Sequence, residues 1–295
     1  MSTFTAQSTA DHVAAGLDLT GRTYLVTGAT SGIGKETARV LAAHGSFIVG
    51  TGRSAAQAQA ALDEVAPGKG KGVACELSEP ASVRAAVDII GASGRRFDGF
   101  IANAGIMALP KLETKHGLEL QFLTNHVGHF ILVMGLAERL TDNGRVVMVS
   151  SMAHMNAPPA GIDFDNLDGS KSYSPFRAYG TSKLANILFA NELAQRFAGS
   201  SRTANSLHPG VIRTNLTRHM PDLGEGIFAR LGESGMKSIP QGAATQVLLA
   251  VHPSAAGVSG TYWSDCAQAE PSAPARDGAL ARRLWQVTAD LVAKL

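Results

Sequence analysis

Short runs dense in apolar and β-branched residues recur along the chain, and longer stretches of helical periodicity separate them. The runs at 22–28 (RTYLVTG), 46–52 (SFIVGTG), 71–77 (KGVACEL), 98–104 (DGFIANA), 144–150 (GRVVMVS), 202–208 (RTANSLH) and 259–264 (SGTYWS) read as about seven strands. Helices are expected to begin near Gly32, Ala56, Pro80 and Glu113 among the first five strands. Others should begin near Arg177 and Pro240, and a last one should run from Ala279 to Lys294. This alternation implies an α/β fold built on a single doubly wound parallel sheet with helices on both faces. Such sheets take ligands at the carboxyl ends of their strands. Two stretches break the rhythm. Residues 152–176 are rich in Pro and Asp, and residues 215–239, with glycines at 224, 226, 232 and 235, read as a substrate lid. Residues 1–19 read as a flexible tail and 20–295 as one domain.

Composition narrows the function. The 295 residues are 45% apolar and carry a formal net charge of +2, with no basic block suited to a nucleic acid. The two cysteines, Cys75 and Cys266, suggest neither a disulfide framework nor a metal site. The polar N-terminal stretch has no apolar core for a signal peptide, and no later run approaches the ~18 apolar residues of a membrane span. The expectation is a cytoplasmic protein without a membrane anchor.

The turn after the first strand carries chemistry. In YLVTGATSGIGKETA, residues 24–38, Gly28, Gly32 and Gly34 permit a tight turn and close backbone approach, and the following helix offers free N–H groups to a pyrophosphate. Glycine spacing alone is weak evidence in a chain with 32 glycines; its place between a strand and a helix is what makes it a dinucleotide signature of the Rossmann kind. No Asp or Glu stands between Ile48 and Leu62, where an acid would hold unphosphorylated ribose hydroxyls. Arg53 stands there, and Lys35 follows Gly34, so a 2′-phosphate and hence NADP(H) is expected.

The second signal is AYGTSKLANILF, residues 178–189. On a helix, Tyr179 and Lys183 lie one above the other. Making a phenol of pKa ~10 work near neutrality takes roughly 4 kcal/mol of phenolate stabilisation. One ammonium at ~4 Å supplies about that much at an effective dielectric of ~20. Tyr173 and Arg177 share the spacing, but Pro175 between them argues against a common helix. Ser150 and Ser151, at a strand's carboxyl end, could each hydrogen-bond a substrate oxygen.

These motifs together resemble the short-chain dehydrogenase/reductase family: TGATSGIG its cofactor loop, ANAG (102–105) its central-strand turn, and YGTSK its active-site motif. NHVGHF (125–130), VSSMAH (149–154), IDFDNL (162–167) and HPGVIRTNL (208–216) are similar to its retinol-dehydrogenase-like branch. The resemblance implies that Tyr179 is the general acid/base and that Lys183 lowers its pKa and binds the nicotinamide ribose. It gives Ser151 the carbonyl and Asn125 a water that links Lys183 to solvent. It puts Gly28, Ser31, Gly32, Ile33, Gly34 and Arg53 at the pyrophosphate and adenosine end, and Glu76, where the family often has Asp, near the adenine beside Leu77. Asn103, Ala104, Gly105, Pro209, Gly210, Val211, Ile212 and Thr214 would line the rest of the cofactor. It also implies a homo-oligomer, dimer or tetramer, paired through helices at about 113–140 and 177–198. The expected reaction is reversible, NADP(H)-dependent reduction of a bulky hydrophobic ketone or aldehyde to the alcohol. Met107, Met152 and Met155 would give the pocket its apolar lining. A non-catalytic NADP(H)-responsive binding protein and a retinal-type aldehyde reductase are the alternatives. His154 and His208 read as loop hydrogen-bonders, and no metal is expected.

Overall fold

A computed structural model describes residues 4–213 and 235–295. Among these, eight strands form the central sheet. In chain order they are β1 (Thr23–Val26), β2 (Phe47–Gly52), β3 (Gly70–Ala74), β4 (Phe97–Ala102), β7 (Leu140–Val149), β8 (Thr203–His208), β9 (Tyr262–Ser264) and β10 (Ala267–Gln268); β5 (Thr114–Lys115) and β6 (Leu118–Glu119) form a separate hairpin. The order across the sheet is β10-β9-β8-β7-β4-β1-β2-β3. All neighbours are parallel except β9 and β10. Leu25 pairs with Val49 on one side and Phe100 on the other, so the apolar centres of the strands stack in register. Helices cover both faces, which is why these strands read as continuous apolar runs instead of alternating.

One face carries α1 (Ala10–Ala14), α2 (Gly32–Ala43), α3 (Ala55–Val65) and the helix Ile239–Val251 over a core that includes Leu41, Ile48 and Val247. The other carries α4 (Pro80–Ala92), α5 (Leu120–Phe122), α6 (Gly128–Leu136) and α7 (Pro175–Arg196) over Phe100, Leu132 and Leu188. The C-terminal helix Gly278–Val292 packs outside α7. Its Trp285 stacks on Phe189 at 5.5 Å and meets Phe130 edge-on at 5.1 Å. Those rings belong to the two long helices through which oligomer pairing is expected, so this part of their outer face is already covered.

Four expectations need correction. The sheet has an eighth strand: Asp265 and Cys266, both at positive φ, turn the chain back into β10, and no glycine marks the turn. No helix starts at Glu113. His116 and Gly117, both left-handed, close the β5–β6 hairpin, and the helix begins where the Glu119 carboxylate caps the Phe122 N–H at 2.8 Å. The tail is not loose over residues 10–19. Thr9 caps α1, and Ala10, Val13, Ala14 and Leu19 are buried in the core shared with the helix Ile239–Val251. Finally, one helix among the described residues, Leu120–Arg139, is long and apolar enough to cross a membrane by composition. With 78% of that stretch buried inside the protein, it is the core helix of the second face.

Candidate active site

The turn from β1 to α2 opens onto a cavity of ≈ 1210 Å³ at the carboxyl ends of the strands. Gly28 and Gly32 adopt φ of 66° and 56°, a region that a Cβ disfavours. A methyl group at Gly34 would collide with Asn103 Nδ2 and the Gly28 carbonyl. Ser31 caps α2 without a side-chain capping bond, which leaves its hydroxyl and the helix's first N–H groups available to an anion. Ile33 lines the same wall.

The adenosine end corrects one expectation. Arg53 lines the cavity together with Glu76 and Leu77, and among the described residues no carboxylate pairs with it. Lys35 instead pairs with Glu64 of α3 at 2.7 Å and does not reach the cavity wall. The Glu76 carboxylate is held by the backbone N–H and hydroxyl of Ser78, at 3.2 and 3.0 Å.

Along the middle, Asn103, Ala104 and Gly105 follow β4 into the wall. The Thr27 hydroxyl accepts from the Asn103 and Ala104 N–H groups, both at 2.9 Å, and Asn103 Nδ2 donates to the Thr27 carbonyl. Asn103 Oδ1, Thr124 Oγ1 and His208 Nδ1 belong to wall residues and are buried without a partner among the described residues. A buried polar atom left so costs about 1–3 kcal/mol unless a ligand meets it. Together with the glycine cradle they fit a bound dinucleotide. Pro209, Gly210, Val211 and Ile212 close the far side, with Gly210 at φ 97° under the Lys237 side chain. Thr214 and most of the lid at 215–239 lie outside the described residues.

The side chains expected to handle the proton meet where β7 ends and α7 passes. Pro175 opens α7, so Tyr173 lies before the helix and donates to the Leu109 carbonyl at 2.6 Å, while Tyr179 and Lys183 share the helix. Gly180 lets α7 press against the turn Met152–Asn156, because a Cβ there would strike the Ala153 carbonyl. The close approach puts Ser151 and Tyr179 on one wall of the cavity, where the Ser151 hydroxyl accepts from the Ala153 N–H at 3.1 Å. Ser150 has a different job: its hydroxyl donates to the Lys183 carbonyl at 2.7 Å and ties α7 to the sheet. Ser151, Tyr179 and Lys183 all line the cavity, with Tyr179 and Lys183 each only 3% exposed.

Burial reverses the expected electrostatics of this pair. Desolvation pushes the Tyr179 phenol up to about 12, opposed by the nearby Ser151 hydroxyl, and pushes the Lys183 ammonium down to about 8. Lys183 Nζ lies 5.7 Å from the centre of the Tyr179 ring and donates to the Val149 carbonyl at 2.9 Å. In the cofactor-free protein Tyr179 is therefore a neutral acid, not a phenolate.

Asn125 is not on the cavity wall. It is fully buried in a π-helical turn, Leu123–Val127. Its amide closes a ring with Ile106, accepting from the Ile106 N–H and donating to the Ile106 carbonyl, both at 2.9 Å, and it also donates to Ser182 Oγ. Its backbone carbonyl meets His129 Nδ1 at 2.8 Å, and His129 Nε2 meets Thr27 Oγ1 at 2.9 Å. The Thr27 hydroxyl already accepts from the Asn103 and Ala104 N–H groups, so its proton goes to Nε2 and Nδ1–H faces the carbonyl. Sequence reasoning missed this buried, neutral His129. The pattern NHVGHF offers a signal only once the π turn is known to bring both residues to one interior site.

The short chain dehydrogenase family model matches residues 22–164. Retinol dehydrogenase 12 of Mus musculus is 38% identical over 94% of this chain and 88% of its own length. The chain belongs to the short-chain dehydrogenase family. It falls in the retinol-dehydrogenase-like branch. A crystal structure from Mycobacterium paratuberculosis superimposes with a TM-score of 0.75 at 33% identity, covering 95% of this chain and 97% of that one. A blue fluorescent protein from a metagenomic library, solved in complex with NADPH, gives 0.67 at 25% identity, with 83% and 96% coverage. The chain is thus an oxidoreductase of this family with a Rossmann-type α/β fold.

Proposed function

We propose that this short-chain dehydrogenase uses NADP(H) to reduce, reversibly, the carbonyl of a bulky hydrophobic ketone or aldehyde. The observation that carries the reading is that Tyr179, Ser151 and Lys183 line one wall of the cavity whose other end is the glycine cradle. The reduced nicotinamide supplies a hydride to the carbonyl carbon. Tyr179 gives its proton to the carbonyl oxygen, Ser151 hydrogen-bonds the same oxygen, and Lys183 stabilises the phenolate left behind. Asn125 acts from behind the wall, fixing Ile106 and the Ser182 side of α7.

NADP(H) is favoured over NAD(H) by Arg53, by the absence of an acid at the end of β2, and by the NADPH complex of the metagenomic relative. The apolar substrate class rests on Met152 and Met155, which are 53% and 59% exposed yet line the cavity, with Met107 and Phe176 beside them. Exposed thioethers at a cavity mouth give an adaptable apolar surface.

A panel of bulky ketones and aldehydes, assayed with NADPH and with NADH, tests this reading. Turnover with NADPH and a loss of about 10²–10⁴-fold in Tyr179→Phe, with NADPH affinity kept, is the expected result. Wild-type protein that binds NADPH but stays inert across the panel would instead make it a binding protein.

A further inference from the structure

Ser151 is held from an unexpected direction. Its carbonyl accepts two hydrogen bonds from His154, one from the backbone N–H at 3.1 Å and one from ring Nδ1 at 2.7 Å. The other ring nitrogen, Nε2, accepts from the backbone N–H of Ser272 at 3.0 Å. An N–H pointing at Nε2 requires a lone pair there, and a carbonyl facing Nδ1 requires a proton there. Only the neutral Nδ1–H tautomer satisfies both. The ring is 1% exposed and rests edge-on against Tyr262 of β9, with centroids 5.2 Å apart. Burial lowers its proton affinity, in keeping with the neutral form.

Ser272 belongs to the C-terminal segment, which is itself anchored on α7. Asn191 Nδ2 donates to the Ala275 carbonyl at 2.8 Å, and Trp285 is wedged against Phe130 and Phe189. A continuous chain of contacts therefore runs from the C-terminal segment through one imidazole to Ser151, which lines the cavity with Tyr179.

We propose that His154 is a positioning residue for Ser151, and that the C-terminal segment sets the placement of the Ser151 hydroxyl through it. The proposal rests on the reading that Ser151 holds the substrate oxygen. The imidazole spans two partners that no shorter side chain reaches together, and each ring nitrogen has one assigned task.

Ser272→Pro is the mildest test. Ser272 has φ −55°, close to the angle that proline imposes, so the substitution removes the N–H at a backbone angle proline adopts. With the carbonyl compound that wild-type protein reduces fastest, Ser272→Pro should lower kcat about 5-fold and His154→Ala about 10-fold or more, as expected for losing one or two modest hydrogen bonds from a transition-state contact. The KM for NADPH and the melting temperature of Ser272→Pro should hold. His154→Asn, whose amide can still donate to the Ser151 carbonyl but cannot reach Ser272, should fall about as far as Ser272→Pro; His154→Gln should fall as far as His154→Ala. Ring 15N shifts should report Nδ1–H in the wild type and a mixed tautomer in Ser272→Pro. An Nε2–H ring in wild-type protein would overturn the proposal. So would unchanged kcat in both His154→Ala and Ser272→Pro while Ser151→Ala is inactive. Full turnover in Ser151→Ala would overturn the underlying reading of Ser151, and this proposal with it.

Discussion

At the β1–α2 turn the ligand surface is main chain, kept open by Gly28, Gly32 and Gly34. At the β7–α7 junction it is side chain, and its properties come from burying a phenol and an ammonium together. The two ends therefore fail in different ways. The first is steric: an added methyl group blocks it whatever the pH. The second is electrostatic: its geometry can survive a substitution that abolishes its proton chemistry. A dinucleotide enzyme built this way should allow affinity and turnover to be damaged separately.

The largest effect expected in the cradle is from Gly34→Ala. The new methyl group meets the Gly28 carbonyl, which is main chain, and Asn103 Nδ2, which cannot withdraw without breaking its bond to the Thr27 carbonyl. NADPH affinity, followed by nucleotide fluorescence, should fall about 30-fold or more, the equivalent of ~2 kcal/mol or more. Binding at wild-type strength would show that the cradle is looser than the contacts imply. Arg53→Ala should weaken NADPH about 10-fold and leave NADH unchanged, as expected for losing a charge-assisted contact to a phosphate. Lys35→Ala should change neither, because Lys35 pairs with Glu64 and does not line the cavity.

At the catalytic end the smallest but most specific effect is on stability. Burial lowers Lys183 to about 8 from its ordinary 10.5. Between those values the unfolded chain holds a proton that the folded one has released, so this group makes folding more favourable as pH rises through that window. Denaturation at pH 7 and pH 10 should show wild type gaining on Lys183→Met by on the order of 1–3 kcal/mol. An equal difference at both pH values would mean that Lys183 is not desolvated.

The contrast also explains what could be read in advance. The parallel sheet, the cradle, and the Tyr179–Lys183 helix are local patterns of apolar runs, glycines and spacing, and they stand out in the sequence. The pocketed phenol is not local: whether Lys183 or desolvation governs Tyr179 depends on how deeply α7 is buried, and that is set by Gly180 against the Met152–Asn156 turn. Asn125 reads as a helix-surface amide until a π turn and the Ile106 backbone enclose it. The buried N-terminal helix escaped notice because Ala10, Val13 and Ala14 make too short an apolar face to register alone. The segment after Ser264 shows a last helix in the sequence but no chemical motif, yet it supplies β10, the Ser272 contact and Trp285, each made through partners distant in sequence.

The central claim is that Tyr179 stands as a neutral buried acid before the cofactor binds. The chain has four tyrosines, Tyr24, Tyr173, Tyr179 and Tyr262, and burial raises all of them above the ordinary phenol value. Ultraviolet difference titration of the folded, cofactor-free protein should show no tyrosinate below pH ~10, and Tyr179→Phe should match wild type over that range. A tyrosinate that forms near neutral pH in the wild type and is missing from Tyr179→Phe would contradict the claim.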